Sequence, residues 1–151
     1  MPDGTHQTEL HIPIENVWSF VSDMNKWAPL VPGYRDHEIL NDRQSTWKFI
    51  GNLGFMQKLV HLKIDIKEWQ EPTKVTFDLT GLNENFKGNG YFEAKAVNGM
   101  KTKIIVHLNI TAKGMKGPVI NPILKSFVPK TTKDLTVAIT RKIATLETVA
   151  T

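Results

Sequence analysis

The stretch from Ile12 to Gly33 constrains the fold more than any other, because it sets a strand end, two short helices and a Pro-Gly turn in close succession. Pro13 suits the opening of a helix, where its missing N–H would have no partner in any case. Val17, Phe20 and Val21 follow at helical spacing beside Trp18. Ser22 or Asp23 can cap a second short helix reaching Trp27, and Pro29 and Pro32-Gly33 stop it and reverse the chain. Two short helices are therefore expected between the first strand and everything after it.

From Tyr34 onward the residues alternate as in consecutive antiparallel strands. Trp47, Phe49, Gly51 and Leu53 share one face, and after a turn near Gly54 so do Met56, Val60, Leu62, Ile64 and Ile66. The pattern returns with Val75, Phe77 and Leu79, with Phe86, Phe92, Ala94 and Ala96, and with Met100, Ile104, Val106, Leu108 and Ile110. Turn residues at Glu71-Pro72, Asn83-Glu84-Asn85 and Asn98-Gly99 separate these runs. With Thr8, Leu10 and Ile12 as the first, the count is about seven strands. Past Gly114 the period becomes helical: Ile120, Leu124, Phe127, Val128, Thr131, Leu135, Ala138, Ile139, Leu146 and Val149 fall in one arc. Pro122 and Pro129 interrupt it, and Pro129 is expected to divide a looser first part from a regular second part. The fold expected is α+β: a curved antiparallel sheet wrapped on a long C-terminal helix, with two short helices after strand 1 closing one end. Such a frame leaves a cavity between sheet and helix.

The order of strand, Ile12-Pro13-Ile14-Glu15-Asn16-Val17-Trp18, Asp23, Trp27 and Leu30-Val31-Pro32-Gly33 resembles the START-like (SRPBCC) superfamily with the helix-grip fold. Within it, the Pro-Gly turn after the second helix looks most like the carbon monoxide dehydrogenase G-subunit family. Gly81, Phe86-Lys87-Gly88-Asn89-Gly90 and Gly114 fall where that family also places glycines. The resemblance spans nearly the whole chain. It marks fold better than activity, since the superfamily includes lipid carriers, hormone receptors and cyclases.

A chain of 151 residues can bury roughly 68–70% of its unfolded surface, so one domain over residues 1–151 can hold both a core and a pocket. No apolar run approaches the ~20 residues of a membrane span. Asp3, His6, Gln7 and Glu9 break up any signal-peptide pattern, which makes the cytoplasm the expected compartment. There is no cysteine, hence no disulfide and no thiolate chemistry.

The expected cavity wall is apolar: Trp27, Phe49, Leu53, Met56, Leu62, Ile64, Phe77, Leu79, Phe92, Ile104, Val106, Leu124, Phe127, Val128 and Leu135. Each of these also serves ordinary core packing, but as a set they favour an apolar ligand. Lys58 falls on the inward face by alternation. It could meet a ligand carboxylate or phosphate at the mouth, or be turned to solvent by a bulge or the strand end. Tyr34, Thr102 and Thr131 are the other inward-capable polar groups, and each could equally satisfy a backbone carbonyl. His6, His11, His37, His61 and His107 lack the close same-face spacing of metal ligands, and no nucleophile-elbow or phosphate-binding glycine motif is present. No metal and no cofactor are expected. Gly88 and Gly90 are read as close packing or a bulge within a strand.

The formal net charge of +4 is unevenly placed. Lys113, Lys116, Lys125, Lys130, Lys133, Arg141 and Lys142 outnumber Asp134 and Glu147 across the last helical region. Such a surface could attract anionic lipid headgroups, or simply solvate the helix. Nucleic acid is disfavoured, because no aromatic stacking platform accompanies the lysines. Three functions follow. The first and favoured is non-catalytic binding or carriage of a hydrophobic small molecule: a lipid, fatty acid, isoprenoid or polyketide-like compound. The second is implied by the resemblance to the carbon monoxide dehydrogenase family, namely an accessory protein that brings a molybdenum hydroxylase to the membrane or assists its maturation. With no apolar tail before Thr151, its membrane contact would be peripheral. The third and least favoured is a cyclase or dehydratase using Lys58, Tyr34 or Thr102 as acid–base groups.

Overall fold

A computed structural model describes residues 2–52 and 57–150. The elements run β1 (Asp3–Leu10), α1 (Ile14–Val21), α2 (Met24–Trp27), a 3-10 turn (Ala28–Leu30), β2 (Tyr34–Ile39), β3 (Gln44–Asn52), β4 (Gln57–Gln70), β5 (Lys74–Gly81), β6 (Phe86–Asn98), β7 (Lys101–Ala112) and α3 (Gly117–Ala150). All seven strands join one antiparallel sheet in the order β1-β7-β6-β5-β4-β3-β2. This is the helix-grip arrangement expected from the sequence: a sheet gripping one long helix, with short helices after β1.

The local chemistry explains the entry region. Pro13 stands just ahead of α1, and Val17, Trp18, Phe20 and Val21 are the buried positions of that helix. The Asp23 carboxylate caps α2 by accepting the Asn25 N–H at 3.0 Å. Gly33 then adopts φ +80°, which an L side chain rarely takes, and its carbonyl accepts the Ile50 N–H at 2.8 Å. This turn delivers the chain into β2 at the sheet's edge. Ile12 lies past the end of β1 and is buried.

One face of each strand supplies the core. Trp47, Phe49, Val60, Leu62, Ile64, Ile66, Val75, Leu79, Phe92, Ile104 and Val106 are all buried, in the alternation the sequence shows. A register irregularity between Ile66 and Glu68 lets Trp69 join the inner layer, where it meets Trp18 edge-to-face at 6.2 Å between ring centres. Leu53, Met56 and the turn near Gly54 lie outside the described residues.

In α3 the structure departs from expectation twice. Pro129 does not divide the helix, which runs unbroken over 34 residues with Pro122 and Pro129 inside it. Each proline withholds one N–H from the carbonyl four residues earlier, at Pro118 and Lys125. Those residues and both prolines are exposed, so water can satisfy the freed carbonyls. The buried stripe also lies differently: it runs through Leu124, Val128, Thr132, Thr136, Ile139 and Ile143, while Leu146 is 43% exposed. Thr132 and Thr136 donate their hydroxyls to the carbonyls of Val128 and Thr132, at 2.7 and 2.6 Å, so each is buried with its polar atom satisfied. We expect Thr132→Val to leave stability within about 0.5 kcal/mol of wild type, since the Val128 carbonyl keeps its backbone partner. Chemical denaturation measures this directly.

Candidate ligand-binding site

The site begins with two glycines. On β6, Gly88 and Gly90 fall on the same inward face as Phe86 and Phe92, so the middle of that strand presents bare backbone to the interior. Neither tolerates a side chain. A Cβ on Gly88 would stand inside the Asn109 carbonyl, and one on Gly90 would lie 2.6 Å from the His107 carbonyl and 2.8 Å from the Phe77 ring. Phe77, directly opposite Gly90 across the β5–β6 ladder, therefore lays its ring over the gap that Gly90 leaves.

Beside that ring is a cavity of about 40 Å³. Its walls come from six elements. The helices give Val21 and Trp27, β5 gives Val75 and Phe77, β6 and β7 give Phe92, Val106 and Leu108, and α3 gives Thr132, Leu135 and Ile139. Tyr91 and His107 also border it. They alternate with the inward Phe92 and Val106, and their rings stack on the opposite face of the sheet at 5.2 Å between centres. The Trp27 indole is held by a hydrogen bond from Nε1 to the Val21 carbonyl at 3.0 Å and packs edge-to-face on Trp47 at 5.0 Å. Thr132 spends its hydroxyl on its own helix. The wall thus offers apolar contact. A void of this size exceeds the roughly 10–15 Å³ a water needs, yet falls well short of the roughly 150 Å³ in which an engineered apolar cavity of another protein holds benzene.

The residues singled out from sequence divide accordingly. Trp27, Phe77, Phe92, Val106 and Leu135 come together around the cavity. Phe49, Leu62, Ile64, Leu79, Ile104, Leu124 and Val128 are core side chains no more than 8% exposed. Phe127 packs half-buried against the core, on the side of Gly51. Thr131 is half-buried, one position off the buried stripe. The polar candidates are dispersed. Tyr34 bonds through its hydroxyl to His37 Nδ1 at 2.7 Å, while His37 Nε2 meets Asn25 Oδ1 at 2.7 Å, tying β2 to α2. Thr102 is fully buried and donates to the Ile12 carbonyl at 2.7 Å. Lys58 pairs with Glu84 beside a separate groove at the other end of the molecule.

Sequence reasoning leaves seven bordering residues out of the site: Val21, Val75, Leu108, Thr132 and Ile139, together with Tyr91 and His107 from the outer face of the sheet. Four of them carry the right apolar signal, but by pattern they belong to ordinary helix and strand faces. Thr132 carries none, because its burial depends on a hydrogen bond within α3. Among the described residues no group of three or more His, Cys, Asp or Glu is placed to hold a metal ion. No helix among them is long and apolar enough to cross a membrane.

Comparisons with known proteins agree with this architecture. Among solved structures, a conserved protein from Geobacillus kaustophilus superposes with a TM-score of 0.79 at 15% identity, over 95% of each chain. A START superfamily protein from Mycobacterium smegmatis gives 0.76 at 20% identity, over 95% of this chain and 98% of that one. The Zhui aromatase/cyclase from Streptomyces sp. R1128 gives 0.72 at 12% identity, over 94% and 93%. At such identities the likeness establishes fold, and the fold is compatible with binding a hydrophobic ligand. No curated protein sequence matches the chain. A protein-family model described only as "-like" matches residues 1–143. The chain belongs to the family of that model, and its fold is the START-like helix grip.

Proposed function

We propose that this protein binds and carries a hydrophobic small molecule between the sheet and α3, in a site that is nearly closed when empty. The observation that carries this reading is the apolar cavity roofed by Phe77 over Gly90. Drug-sized ligands occupy pockets of roughly 300–1,000 Å³, so uptake of a fatty acid, isoprenoid or polyketide-like molecule requires the wall to open. The movable parts are the half-buried side chains Phe77, Trp27 and Leu135, which pack against the core without belonging to its fully buried set. Carriage is favoured over cyclisation because Tyr34, Thr102 and Lys58 are engaged away from the cavity, at β2, Ile12 and Glu84 respectively. A general acid or base must lie within hydrogen-bond reach of its substrate.

The test is mass spectrometry of an organic extract of natively purified protein against a mock purification, with native mass spectrometry to count bound molecules. A lipid or polyketide at one per chain is expected. An empty protein that also fails to bind a neutral naphthylamine probe would overturn the reading. Its place would be taken by the accessory role that the resemblance to the carbon monoxide dehydrogenase family implies, in which the protein serves a partner enzyme.

A further inference from the structure

The end of the molecule away from α1 and α2 is built differently from the cavity. There the β5–β6 turn, the end of β7 and the start of α3 enclose an open groove of about 930 Å³, with Phe86, Ala112 and Ile120 along it. Its rim carries apolar side chains where a water-facing surface would not need them. Met115 is 98% exposed, Val119 67% and Leu82 49%. Met115 sits between Lys113 and Lys116 in the turn from β7 to α3, and both lysines are exposed. Among the described residues lining the groove, the only carboxylate is Glu84, already paired with Lys58. The rim therefore combines projecting apolar groups with uncompensated positive charge.

We propose that this end docks on the surface of a lipid bilayer bearing anionic headgroups. Other exposed apolar side chains, such as Val97 and Met100, lie elsewhere, but Met115, Val119 and Leu82 share one groove rim, and a cluster of this kind marks a surface made for contact. The flanking lysines select the partner, because a protein surface accepting Met115, Val119 and Leu82 would have no need of unpaired cations. A bilayer offers acyl chains beneath a negative layer and answers both features at once. Met115, Val119 and Leu82 enter the interface, and Lys113 and Lys116 meet lipid phosphates around them. This inference rests on the groove alone and stands whether or not the cavity takes a ligand.

Vesicle co-sedimentation tests it, with phosphatidylcholine vesicles made with and without phosphatidylglycerol. The wild-type protein is expected to bind the mixed vesicles far better than the neutral ones, and less as salt rises. A lysine near an anionic surface is worth about fivefold in binding, so Lys113→Gln with Lys116→Gln lowers partitioning about 30-fold. Met115→Ser lowers it several-fold while leaving the salt dependence intact. Lys130→Gln with Lys133→Gln is the control: both are exposed and lie about 16–21 Å from Val119 at 1.5 Å per residue. That pair should change binding much less. Because every substituted side chain is exposed, an unchanged thermal melt certifies each variant. The proposal is overturned if the wild type ignores anionic vesicles, or if the Lys130/Lys133 pair costs as much as the Lys113/Lys116 pair. It is overturned equally if light scattering finds a dimer that Met115→Ser dissociates, since the rim would then be an interface between copies.

Discussion

Replacing Phe77 with alanine should lower stability by about 2 kcal/mol and at the same time tighten binding of a small apolar probe. The two effects have one cause. Deleting a fully buried phenylalanine side chain costs roughly 3–5 kcal/mol, as lost transfer free energy plus the cavity left behind. Phe77 is only half-buried, which brings the expected cost below that range, to about 2 kcal/mol. The void it leaves cannot be refilled from β6, because the residue beneath the ring is Gly90. It joins the existing cavity of about 40 Å³, bringing the space closer to the order of 150 Å³ at which apolar cavities begin to take aromatic guests. If the wild-type site must first swing the ring aside, its apparent affinity is reduced by the fraction of molecules in which the ring has moved. Removing the ring removes that penalty, and a tenfold gain corresponds to about 1.4 kcal/mol. Denaturant melts and probe titrations on the same samples measure both quantities. Loss of stability together with loss of binding would make Phe77 a contact surface for the ligand rather than a cover over its site.

Most of the frame is legible in the sequence because it rests on patterns the backbone enforces. The alternation along β3 to β7 needs only the strand period of two, and the Pro13, Asp23 and Pro32-Gly33 signals need only local chemistry. The buried stripe of α3 escapes a reading by hydropathy because burial there depends on hydrogen bonding as well. Thr132 and Thr136 read as polar until their hydroxyls are seen bonded to carbonyls four residues back. The prolines of α3 mislead for a related reason. A proline weakens or kinks a helix without having to end it, and here the carbonyls it frees, at Pro118 and Lys125, are exposed to water. The site is half legible. Apolar side chains on inner faces are visible in sequence, but the gap between them depends on Phe77 lying over Gly90, a cross-strand register that hydropathy does not record. Lys58 shows the opposite limit: its place by alternation leaves a ligand partner and a turn to solvent both open, and neither reading foresees the ion pair with Glu84.

The glycines order a second set of expectations, with Gly33→Ala at the top. This substitution should cost about 2–4 kcal/mol. An alanine there takes on a left-handed φ of +80°, a strain worth roughly 1–3 kcal/mol outside glycine. It also drives a methyl group into the carbonyl of Ile50, which cannot yield without releasing the bond its own N–H makes to the Gly33 carbonyl. Gly114→Ala bears the same kind of strain at φ +75° but meets only the Asn85 side-chain amide at 3.0 Å, a flexible group, so about 1–2 kcal/mol is expected. Gly99→Ala meets nothing within 4 Å at an ordinary φ. Trimming the freedom of the unfolded chain then makes it neutral or up to about 1 kcal/mol stabilising. The order of the three midpoints in urea separates local strain from a general intolerance of glycine loss. It also bears on function. The Gly33 turn joins the segment that seats Trp27 against Trp47 to the first residues of β2, so its disruption should reach the cavity wall. Gly33→Ala should accordingly weaken probe binding even under conditions where the protein remains folded, and Gly99→Ala should leave it unchanged. Equal binding in both variants would show that the wall at Trp27 is held by the core alone, through Val21 and Trp47, and owes nothing to the turn that follows it.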